Sequence, residues 1–196
     1  MDFDDSASAE ALARHRRYQE DVVEEYAVCP WAKAARQAGR LRAHVILGAS
    51  PHPRELETLI DEWADDAECD AGFIIAPNFI EGIDAFDHWA AAVGALRSDA
   101  FLGAPFHPNA PPDAGVVRFL RQTPDPTVQL VRRSKLDEIR AQDPPHYQDI
   151  FALNLHALQS STPMRTVAAA VLAHNTRLVA EQGDALSALF ERLQKD

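Results

Sequence analysis

Long apolar runs are missing from this 196-residue chain. Nothing in it approaches the ~20 consecutive apolar residues of a membrane-spanning helix, which excludes a helical membrane protein. Cysteine is scarce: Cys29 and Cys69 are the only two, so a disulfide scaffold and a four-cysteine zinc site are both excluded. No glycine-rich phosphate loop follows any predicted strand, and no two histidines stand at the His-x-x-x-His spacing of a helical zinc site. Basic side chains are in deficit, nineteen against thirty acidic, for a formal charge of -11 and a pI near 5.1. That field repels a free polyanion, so no nucleic-acid partner is expected. The start, Met1-Asp2-Phe3-Asp4-Asp5, lacks the basic residues and apolar stretch of a secretory signal. The expected setting is a reducing cytoplasm.

What is present is an ordinary globular balance, 46% hydrophobic and 25% charged over 21.6 kDa, enough for one buried core. A single α/β domain over residues 7–196 is expected, with 145–196 as a helical extension. Residues 1–6 read as an acidic tail, with Ser6 or Ser8 capping a helix over 9–26 whose core contacts are Leu12, Val22, Val23 and Tyr26. Arg14, His15, Arg16 and Arg17 near its start read as a solvated basic face. Pro30 suits the first position of a new helix over 30–38, which places Cys29 at its N-cap and ends at Gly39. The apolar runs 43–47, 72–76 and 100–106 read as buried strands, separated by helical patterns at 53–67 and around 86–96.

Strands alternating with helices predict a small, mostly parallel sheet of three or four strands flanked by helices. Residues 127–141 suit a helix slightly better than a fourth strand at 127–131. The last third reads as helical, with segments over 147–159, from Thr162-Pro163 through Val179, and over 184–195.

In such a sheet, ligands bind where the strands end. The predicted strand ends lead into His52, Asn78 and His107. A thiol at a helix start faces free amide hydrogens and the positive end of the helix dipole, which favour thiolate, and Lys33 one turn on adds to this. Cys29 is therefore the expected nucleophile and His107 its acid/base partner. Trp31, His52, Asn78 and Arg132 are the expected substrate-binding residues. Cys69, between Glu68 and Asp70, is expected to be inert.

The block Val28-Cys29-Pro30-Trp31-Ala32-Lys33, followed by Pro105-Phe106-His107-Pro108, resembles an uncharacterised bacterial family with a Cys-Pro-Phe-Ala-Lys block and, some eighty residues on, a Phe-His-Pro block. The likeness spans about residues 20–140. It implies Cys29, His107 and Arg132 as functional positions and names no reaction. The chain departs from the family in three places. Ala76-Pro77 replaces a His-Pro, Arg121-Gln122-Thr123 replaces Asn-Arg-Ser, and Gln129 replaces a histidine. The Cys-Pro-Trp-Ala run is also similar to omega-type glutathione transferases and glutaredoxins, which need a strand before the cysteine. It is similar again to heme-thiolate peroxidases, whose all-helical architecture does not suit three buried strands.

The function expected from these features is a small-molecule enzyme using Cys29 in thiol redox or group transfer, with His107. The alternatives are a heme- or metal-binding oxidoreductase with Cys29 or His107 as ligand, and a non-catalytic module whose C-terminal helices pair with another chain or a second copy. No cofactor is named by the sequence, heme being the one admitted.

Overall fold

A computed structural model describes residues 3–26, 28–29, 31–110, 122–142, 164–175 and 188. The first helix, α1 (Phe3–Tyr18), starts earlier than the predicted acidic tail allows and runs directly into a π-helical segment, Gln19–Glu24. The Glu25 amide accordingly donates to the Glu20 carbonyl at 3.2 Å, five residues back. The buried stripe of this rod is Ala11, His15, Tyr18, Gln19 and Val22, with Leu12 turned outward. Of the four predicted core contacts Val22 is buried, Val23 and Tyr26 are half-buried, and Leu12 is exposed with Ala11 buried beside it. The reason is chemical: hydropathy selects Leu12, whereas the stripe that meets the protein carries a histidine and a glutamine.

After the short α2 (Ala32–Gln37) come β1 (Leu41–Val45), a 3-10 turn (Pro53–Leu56) that continues into α3 (Glu57–Asp65), β2 (Ala71–Ile75), α4 (Ile83–Ala95) and β3 (Phe101–Phe106). These match the predicted alternation within a few residues. The next element does not. Residues Thr127–Arg132 form a strand, β4, and only Arg133–Gln142 form a helix, α5. The β-branched Thr127, Val128 and Val131 suit a pleated surface, and a vacant place in the sheet decides the matter.

The sheet order is β1-β2-β4-β3. β1 and β2 are parallel, while β4 is antiparallel to both β2 and β3. Two of the three pairings are thus antiparallel, and the expected mostly parallel sheet is corrected to a mixed one. The three predicted strands do run the same way. β4 enters between β2 and β3 from the edge at which β3 leaves, so it must run backward.

One face of the sheet carries the apolar core. Leu56, Ile60 and Trp63, with Phe86, Trp89 and Val93 of α4, pack on Ile74, Val128, Leu130 and Phe101. Two glycines set this contact. A Cβ on Gly72 would lie 2.3 Å from the Trp63 ring, and one on Gly103 would lie 3.0 Å from the Gly94 Cα of α4. The opposite face is different: Phe73 touches His15 of α1 with ring centroids 4.8 Å apart, and Leu102 is left exposed. α6 (Met164–His174) lies against α1 and the π segment, with the His174 and Tyr18 rings 6.1 Å apart. The predicted helices over 147–159 and 184–195 fall outside the described residues, apart from a helical residue 188. Among the described residues no helix is long and apolar enough to cross a membrane.

The Gly72–Trp63 contact yields a measurable expectation. Gly72→Ala forces the indole out of a packed core and lowers unfolding free energy by about 1–3 kcal/mol, read as a lower urea midpoint at unchanged m-value.

Candidate functional site

The registers Val45–Ile75, Ile75–Thr127 and Thr127–Phe106 align the ends of β1, β2 and β3 with the beginning of β4. His107, Asn78 and the segment before β4 therefore meet at one edge. The ladder continues past it, with the Ala76 amide donating to the Pro126 carbonyl at 2.8 Å.

The run Gln122-Thr123-Pro124-Asp125-Pro126-Thr127 is polar in sequence yet buried throughout. Its hydroxyls turn inward on the chain, Thr123 Oγ1 and Thr127 Oγ1 both donating to the Asp125 carbonyl at 2.7 and 2.8 Å. The Asp125 carboxylate, 2% exposed, accepts from Arg14 Nε at 3.0 Å and from Nη2 at 3.4 Å. Two further amides hold the turn that follows β3. Gln122 Nε2 donates to the Ala110 carbonyl at 3.0 Å, and Asn175 Nδ2, just past α6, donates to the Pro108 carbonyl at 2.7 Å. α1, the sheet edge and α6 are thereby joined into one polar layer.

The residue after Arg14 is His15, close enough to Asp125 to feel its charge. It is buried, packed on Phe73, and its Nε2 has no hydrogen-bond partner. Burial pushes the imidazole down to about 4, against the opposing pull of the Asp125 charge. At neutral pH it is an uncharged ring, able to accept or donate one hydrogen bond. One helical turn on, Gln19 Nε2 is likewise buried and without a partner.

The residues expected from the sequence are distributed around this layer rather than gathered in it. Cys29 precedes Trp31, which is the actual N-cap of α2, so the expected cap position is corrected by two residues. The Trp31 and Ala32 amides do hydrogen-bond the sulfur, yet burial outweighs them and pushes the thiol up to about 12. Although Cys29 keeps some exposure, a thiol lowered toward thiolate is not what its surroundings produce. Neither Lys33 nor His107 is among the groups that act on it. Cys69 is buried, and its thiol is also held up by desolvation. His107 is buried at the expected edge, its Nδ1 accepting from the Asn109 amide at 3.1 Å and its ring 5.3 Å from that of Phe86.

Asn78 ties the strand ends together through Nδ2 and the Leu47 carbonyl at 3.0 Å. The His52 ring accepts from the Arg54 amide at 3.2 Å and completes a capping box with Glu55. Arg132 lies at the far edge of the sheet, beside Phe101 in the β3–β4 register. Its guanidinium donates to the carbonyls of Trp63, Ala64, Asp66 and Cys69, where it closes the C-terminus of α3. It is separated from the other candidates by the length of a strand. Among the described residues no group of three or more His, Cys, Asp or Glu could hold a metal ion.

A family model described as "Protein of unknown function (DUF1415)" matches residues 10–166. The chain belongs to this family. The match takes in α1 from residue 10 on, the whole sheet and the segment before β4, so the polar layer lies within the family's domain except for Asn175. No curated protein and no solved structure matches the chain.

Sequence reasoning missed His15, Gln19, Asp125 and Asn175. A signal existed for the first two: Ala11, His15, Gln19 recur every four residues, so two polar groups occupy one face of the first helix. For Asp125 and Asn175 there was none, because only the folded chain brings them to α1 and to the β3 exit.

The depressed His15 pKa has a pH consequence. Unfolded, the ring titrates near its ordinary 6.5; folded, it titrates near 4. Between these values the unfolded chain binds more protons, so stability falls as pH drops through that window, by about 3 kcal/mol for a shift of this size. Burial also holds His44 low. The expected result is that His15→Phe flattens the pH 4–6.5 slope of urea stability, with a shallower slope remaining from His44.

Proposed function

We propose that this chain is a small-molecule enzyme whose acid–base group is His15, set in the layer between α1 and the carboxyl edge of the sheet. The observation that carries the reading is a buried, uncharged imidazole with an unpartnered nitrogen. Buried polar atoms are nearly always satisfied, so one left open at such an edge supports a ligand contact. A neutral imidazole has a chemical use: as an N–H donor it polarises a carbonyl, and as a base it takes a proton from a bound molecule. The neighbouring Asp125 charge favours the protonated ring that the second step forms. Partial exposure of Phe73, Gln129 and Phe106 on this face supplies an approach. The π-helical segment beginning at Gln19 is consistent, since such segments recur at functional sites. A fragment library screened by ligand-observed NMR on the full chain is expected to give binders that His15→Phe loses. Identical binders on both proteins would reject the site.

A second reading keeps Cys29 as the reacting group, with His107 as its partner in thiol redox or group transfer. One observation favours it: the Trp31 and Ala32 amides are placed to receive a thiolate. With burial holding the thiol up near 12, the resting group is protonated, and the chemistry then needs a base brought by the substrate or by His107. Iodoacetamide labelling of the native chain, followed by mass spectrometry across pH, separates the cases. Slow labelling of Cys29 at pH 7–9 is expected. Fast labelling in that range, slowed by His107→Ala, would move the assignment to Cys29.

A further inference from the structure

The second face of the sheet carries an apolar strip beyond α1. By register and pleat, Leu102 and Ala104 of β3 and Val131 of β4 lie on the same face as Phe73. Leu102 is 41% exposed, and Ala104 and Val131 are only half-buried. Strands stand about 4.8 Å apart and a helix is about 10 Å wide, so one helix covers about two strands. α1 lies against β1 and touches Phe73 of β2, which leaves β4 and β3. Among the described residues the helix packed on β3 is α4, and it occupies the opposite face. α5 follows β4 directly, and its Leu136 and Ile139, one turn apart, are half-buried as well.

The course of the chain points to what covers this strip. α5 begins at the edge where β3 starts, the Arg133 amide donating to the Ala100 carbonyl at 2.9 Å and its guanidinium to the Ser98 carbonyl at 2.6 Å. α6 ends at the opposite edge, tied there by the Asn175–Pro108 hydrogen bond. Residues 143–163 connect these two helices and lie outside the described residues. Within them, Tyr147, Phe151, Leu155 and Leu158 recur at helical spacing, and Asp149 is the one Asp, Glu, Lys or Arg between 147 and 159. In a chain that is 25% charged, so uncharged a stretch suits a buried place. As a helix, 147–159 would span about 20 Å, the length of a six-residue strand such as β3 or β4. The family match runs to residue 166 and so takes in this stretch together with the sheet.

We propose that residues 147–159 dock through Tyr147, Phe151, Leu155 and Leu158 on the strip of Leu102, Ala104 and Val131, so that two helices of one chain cover the second face of the sheet. The strip is thus a docking surface for the chain's own segment and not for a second copy. Both ends of the segment are tethered to the sheet through α5 and α6, which raises its effective concentration at the strip above that of any separate chain. The inference is separate from the reading of His15. Phe73, Gln129 and Phe106 lie toward α1 and the carboxyl edge, outside the strip.

The test is amide hydrogen exchange of the full chain read by mass spectrometry, with light scattering for its mass in solution. Leu102→Asp is the variant of choice, because Leu102 is exposed and faces away from the apolar core. The native chain is expected to be a monomer in which the 147–159 peptides are protected. Leu102→Asp should speed their exchange by about tenfold or more, the effect of removing one buried leucine contact. Peptides from α4, on the other face, should exchange as before. Leu155→Asp should speed exchange over 147–159 in the same way. Should Leu102→Asp disturb α4 as well, Leu102→Ser serves the same purpose.

Three outcomes overturn the proposal. Unprotected exchange over 147–159 in the native chain shows that the segment docks nowhere. Protection that Leu102→Asp leaves unchanged, with α4 intact, shows that it docks elsewhere. A dimer that Leu102→Asp splits assigns the strip to a second copy. None of these results bears on His15, whose reading is judged by the fragment screen.

Discussion

The insertion of β4 between β2 and β3 is the constraint on which the rest depends. It places an antiparallel strand inside what would otherwise be a three-stranded parallel sheet. Because β4 starts at the edge where the other three strands end, the residues preceding it are delivered to the carboxyl edge of those strands. Asp125 reaches α1 for this reason, and its bidentate pairing with Arg14 then fixes the helix against the second face of the sheet. With Arg14 turned to the carboxylate, the next residue, His15, is carried inward onto Phe73.

The two faces of the sheet serve different ends. On one, Trp63 lies over Gly72, and α4 approaches Gly103 backbone to backbone. This is a dense apolar core with the character of a load-carrying interior. The other face buries polar groups and leaves some of them open, at a cost in stability that the first face must offset. Proteins tolerate such local inconsistency where a ligand is to be received. The asymmetry of the sheet thus supports the proposed site on that face. Cys29 and Arg132, both singled out by the family resemblance, take no part in the hydrogen bonds that join the polar layer. One has a thiol held up by burial, and the other has a guanidinium filled by the carbonyls that end α3.

Much of the architecture was legible beforehand because its cause is local. Apolar runs bounded by Pro and Gly mark β1 to β3, the helical spacing of Leu56, Ile60 and Trp63 marks α3, and that of Phe86, Trp89, Ala90 and Val93 marks α4. His107 and Asn78 were placed correctly at the strand ends by topology alone. The segment 127–132 was misjudged because its residues suit two periods, and the deciding factor, a gap between β2 and β3, is not a property of the segment. His15 reads as part of a solvated basic face because its three arginine neighbours dominate the local composition. Only α1's rotation, set by Asp125 from 111 residues away, turns it inward.

By itself the sequence determined the class of fold, the three co-directional strands and the edge at which they end, since hydrophobic periodicity and chain-breaking residues act over a few positions. The sequence likewise determined that no disulfide scaffold was available, because cysteine count is a property of composition. Tertiary structure decided the direction of β4, the burial of the polar run before it, and the burial of His15, Gln19 and Asn175. Those outcomes depend on contacts between residues far apart in the chain, where burial and pairing are set by what arrives from elsewhere and not by the residue's own neighbours.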